Sequence, residues 1–79
     1  METETSHRAL CAAMSAATRA KDARVDLLAY DPAFSSATRA ELLAAVVAAV
    51  IDEASAWARA LAAEARESGE AREAASRIA

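Results

Sequence analysis

The chain has 79 residues, a formal charge of −3 and one cysteine, which bounds it at a single small domain without an internal disulfide. Its 56% hydrophobic content overstates the material for a core, since 26 residues are alanine and only 18 are larger apolar groups. Net acidity argues against general affinity for nucleic acid or for an anionic membrane surface, both of which require basic surface.

The acidity is uneven. Residues 1–30 balance, whereas residues 31–79 hold eight acids against five arginines. No apolar signal region follows Met1-Glu2-Thr3-Glu4. The longest apolar run, Leu42 to Ile51, covers ten residues, about half of what a membrane-spanning helix needs. These features predict a soluble chain in a reducing cytoplasm.

With one glycine and one proline, punctuation is scarce and therefore informative. A first helix is expected over roughly 5–29. It ends ahead of Pro32, because the residue before a proline is pushed away from helical geometry. Tyr30 to Ser36 reads as the interior turn. Thr38 then stands three residues before Glu41, a capping-box spacing, with Ser35 or Ser36 as alternative caps. A second helix is expected over roughly 38–68, stopped by Gly69 in the left-handed position past a helix end. Residues 70–79 are expected as a C-terminal tail, helical or fraying, after a hairpin domain of residues 1–69.

In the second helix Leu43, Val47, Val50, Ala54, Trp57 and Leu61 alternate steps of four and three, a heptad seam. The first helix offers a thinner seam of Leu10, Met14, Ala17, Lys21, Arg24 and Leu28. A short connection makes the two helices antiparallel neighbours, so an all-α helical hairpin is predicted. Between Leu42 and Ile51 the second helix is apolar around its circumference, and such a helix is normally buried on all sides. One neighbour covers only one side. A symmetric four-helix bundle of two copies is therefore expected, with Leu42, Leu43, Val46, Val47, Val50 and Ile51 at the interface.

Chemistry-bearing residues are few. His7 and Cys11 are four apart and share a helical face; they are candidate zinc ligands, but no CxxC motif or second histidine supports them, and no metal or other cofactor is expected. No glycine-rich phosphate loop, spaced Ser-His-Asp set or Glu-x-x-His pair points to catalysis. Lys21 and Arg24 fall in an apolar seam with no acid opposite. They read either as snorkelling side chains or as a cationic notch for a partner. Trp57, among small residues, reads as core filling or as a binding anchor. The expected function is a non-catalytic helical protein–protein interaction module that binds itself or another protein. A composite-site enzyme or metalloprotein formed across an oligomer interface is the alternative, and a nucleic-acid-binding regulator the third reading.

Overall fold

The computed structural model describes residues 4–78; residues 1–3 and 79, at the outer ends of the expected domain and tail, lie outside them. Two helices and one turn make up the fold: α1 (Ser6–Leu28) and α2 (Arg39–Ile78). No strand occurs among the described residues.

Each boundary has a local cause. Thr5 stands in extended geometry before α1, and its hydroxyl accepts from the Arg8 amide at 3.2 Å, satisfying one free donor of the first turn. At the other end the Ala29 amide still donates to the Val25 carbonyl at 2.9 Å, and the helix stops there. Asp31 then organises the turn. Its carboxylate accepts from the Ala33 amide at 2.9 Å, and its carbonyl accepts from the amides of Phe34 and Ser35 at 3.1 and 2.9 Å. Pro32 supplies a fixed φ inside this turn. Thr38 Oγ1 accepts from the Glu41 amide at 3.1 Å and so caps α2.

The expected stop at Gly69 is corrected: α2 runs unbroken for 40 residues to Ile78. Gly69 does not adopt a positive φ. A glycine inside a helix costs about 1 kcal/mol relative to alanine. Strong helix formers on its C-terminal side, including Glu70, Ala71 and Arg72, offset that cost. So do two pairs of i,i+4 charges, Arg66–Glu70 at 3.6 Å and Glu73–Arg77 at 2.7 Å. Residues 70–78 are thus the end of α2 rather than a separate tail. They project beyond α1, which gives a rod of 69 × 19 × 16 Å.

The two helices pack antiparallel, and the seam between them is one residue earlier on both helices than the sequence pattern suggests. On α1 the inward positions are Ser6, Ala9, Ala13, Ala16, Ala20, Ala23 and Leu27; on α2 they are Leu42, Val46, Ala49, Glu53, Ala56, Ala60, Ala63 and Glu67. Among the described residues only alanines are fully buried: Ala9, Ala13, Ala16 and Ala20 against Ala56, Ala60 and Ala63. The physical reason is backbone approach. Interaxial distance is set by the side chains at the contact, and the methyl groups of Ala9, Ala13, Ala16 and Ala20 against those of Ala56, Ala60 and Ala63 let the two helices approach closely over the middle of the seam. The expected seam, with Leu10, Met14 and Leu61 in it, would hold the helices apart.

Candidate docking surface

Two cross-helix contacts fix which flank of the hairpin is which. On one flank Arg19 Nη2 bonds Asp52 Oδ2 at 3.1 Å. Both residues immediately precede a seam position. The same flank carries Arg8, Asp22 and Asp26 from α1 and Glu41, Ser55, Arg59 and Arg66 from α2, all exposed. On the other flank His7 and Leu10 line an open groove with Trp57, Leu61 and Glu64. These residues, apart from the seam's own Ser6 and Ala60 at the groove floor, immediately follow seam positions. One flank is therefore charged and the other apolar.

The apolar flank carries the rows named in the sequence as the seam. Leu10, Met14 and Leu28 of α1 lie beside Leu43, Val47, Val50 and Leu61 of α2, with Ile51 and Val25 at the margins, and all of them are exposed. Val47 is 53% exposed and Ile51 62%, against 0% for Ala13 in the seam. Of the six residues expected at an interface, Leu43, Val47, Val50 and Ile51 are exposed. Leu42 and Val46 are half-buried against α1.

Lys21 and Arg24 are exposed on this same flank, level with Val50 and Val47. They do not enter the helix–helix seam, which corrects the expectation that they interrupt it. Among the described residues neither takes part in an ion pair. Both lie toward the turn end. Glu64, which the sequence did not single out, sits on the same flank toward the open end of the hairpin. Trp57 packs half-buried against the alanine cluster, and its indole N–H donates to Glu53 Oε2 one turn back at 3.1 Å. Trp57 thus touches the core and also lines the groove.

The open end is closed by polar contacts that the displaced register had hidden. Glu67 accepts from the Ser6 amide at 2.8 Å and also from the Ser6 hydroxyl. The hydroxyl bond, then the amide bond and the nearby Arg66 charge, hold the Glu67 carboxyl below the usual carboxylate range. Arg66 also donates to the Glu4 carbonyl at 2.6 Å. In the register observed, Ser6 and Glu67 occupy facing seam positions.

His7 Nε2 and Cys11 Sγ are 3.8 Å apart on an exposed face. No group of three or more potential metal ligands gathers among the described residues. No helix among them is long and apolar enough to cross a membrane. No family model, curated protein or solved structure matches the chain.

Proposed function

We propose that this chain is a non-catalytic interaction module whose apolar flank pairs with a second copy, so that two hairpins make a four-helix bundle. One observation carries the reading: the hairpin fully buries alanines alone and leaves most of its large aliphatic side chains exposed, gathered on one flank while the opposite flank is charged. Exposed apolar surface gathered in this way marks an association site. A helix about 34 Å long, at 1.5 Å per residue, on a rod 19 Å wide presents roughly 650 Å² per copy. Two copies would bury about 1,300 Å², inside the range of specific interfaces. Twofold pairing is the commonest way for identical chains to cover such a face. The reading includes a reducing cytoplasmic setting, in keeping with a single free thiol.

Sedimentation equilibrium tests it. Wild-type chain should have twice the 8.2 kDa chain mass at micromolar concentration. Val47→Glu should be monomeric, because a charge would enter a desolvated interface. Ser55→Glu, on the charged flank, should stay dimeric. A wild-type monomer at micromolar concentration would overturn the reading.

A further inference from the structure

We infer that the second copy docks in reverse, α1 on α1 and α2 on α2 with their directions opposed, so that Arg24 of each copy meets Glu64 of the other. The inference rests on the self-pairing proposed above and assigns its orientation.

Two rods that lie along each other's length, related by a twofold axis in their common plane, can meet in only two ways. With the axis along the rod, each level of one copy lies over the same level of the other. The Ser6–Glu67 and Arg19–Asp52 contacts set those levels. Lys21 and Arg24 would then lie over Val50 and Val47 of the second copy, where the nearby carboxylate, Glu53, is half-buried in the seam and already accepts the Trp57 indole N–H. The four cations of the two copies would gather at the turn end, and both Glu64 carboxylates would gather at the other. Like charges brought together in a desolvated interface oppose association.

With the axis across the rod, the turn half of one copy covers the open half of the other. Ala17 and Ala54 are the smallest side chains of the two outward rows, and they lie nearly level, between Arg24, seven residues along α1, and Glu64, ten residues along α2. A twofold axis near them lets the two copies approach closest where the side chains are smallest. Reversal about that point brings Glu64 of the second copy within about one helical turn of Arg24 along the axis, inside the reach of an arginine side chain. Arg24 follows the seam residue Ala23 and Glu64 follows Ala63, so both border the midline of the flank. Lys21 comes over Met14 of the second copy, where its methylenes lie on apolar surface and its ammonium reaches water. Lys21 and Arg24 thus each have a place, and the Arg24–Glu64 contact is made twice in the dimer.

The test is charge reversal read by sedimentation equilibrium, with circular dichroism to confirm helicity. Both positions are exposed in the hairpin, so single reversals leave its seam alone. Arg24→Glu and Glu64→Arg should each weaken pairing by at least about tenfold, since each sets two like-charge contacts against the dimer. The chain carrying both reversals should pair as wild type does, because the contact is restored with its signs exchanged. Single variants that pair as tightly as wild type, or more tightly, would overturn the orientation while leaving self-pairing in place; Arg24→Glu is expected to tighten the copy-over-same-level arrangement. A double variant as weak as the singles would also overturn it. A wild-type monomer would overturn the self-pairing itself and the orientation with it.

Discussion

Replacing Ala13 by leucine tests whether alanines form the seam. Ala13 is fully buried, at 0% exposure, in the cluster with Ala56 and Ala60. Leucine has nearly the helix propensity of alanine, so the substitution leaves α1 itself intact and adds three carbons to a seam that has no room for them. Overpacking of this kind typically costs about 1–3 kcal/mol, as helices part or side chains leave their rotamers. For a domain of this size each kcal/mol moves the melting temperature by about 4–8 °C, so a fall of roughly 5–20 °C is expected. The matched control is Ala48→Leu, on the exposed charged flank, which should stay within about 0.5 kcal/mol of wild type. The assay is thermal unfolding followed at 222 nm, at one chain concentration for all three proteins, since self-association makes melting concentration-dependent. If Ala13→Leu melts at or above the control, the helices meet through the Leu10–Met14 row instead, where residue 13 is a flanking position and a leucine would add buried surface.

Three further outcomes are expected. Gly69→Ala should strengthen the projecting end of α2 by about 1 kcal/mol, since nothing lies within 4 Å of the added methyl; slower amide exchange over residues 66–76 would show it, with no change in the hairpin. Stability should fall in acid through Glu67, whose carboxyl the Ser6 hydroxyl and amide hold below the usual range in the fold. The unfolded chain takes up the proton first, so the contribution is complete above glutamate's ordinary pKa and is lost as pH falls through it toward the folded value. Glu67→Gln should flatten that part of a plot of melting temperature against pH. Arg19→Ala should cost less than about 0.5 kcal/mol and lose even that in high salt, because Arg19 and Asp52 are 62% and 55% exposed; a loss above 1 kcal/mol in a thermal melt would contradict the exposed geometry.

The sequence showed the fold class, the turn and the cap, because those depend on single residues with strong local preferences. Pro32 and Asp31 close the turn whatever packs on it, and Thr38 caps the helix that follows. The register of the seam was not legible in the same way. Two heptad rows run side by side on each helix, one of alanine and one of larger aliphatics, and hydrophobic periodicity favours the larger. What decides between them is how closely the backbones approach, which depends on both helices together. Leu10 and Leu61 therefore looked like facing core residues and instead line one groove on the outside. Gly69 misled for a related reason. Its cost in a helix is fixed, but its effect depends on charge pairs such as Arg66–Glu70, which spans it, and Glu73–Arg77, which follows it.

The shift of one residue also changes what Lys21 and Arg24 signify. Inside an apolar seam they would be misplaced charges that the fold must tolerate. One position outward they sit on the surface, cost the hairpin nothing and take no internal acid. Their consequence then falls on whatever covers the flank: bare Val47 and Val50 are available to any apolar surface, whereas Lys21 and Arg24 beside them restrict the choice to one that brings a carboxylate to the turn end. Desolvated cations discriminate between partners more than they add affinity. In the pairing proposed above, leucine and valine on this flank would supply the attraction, and the two cations, with Glu64 at the far end, would select the orientation in which it is satisfied.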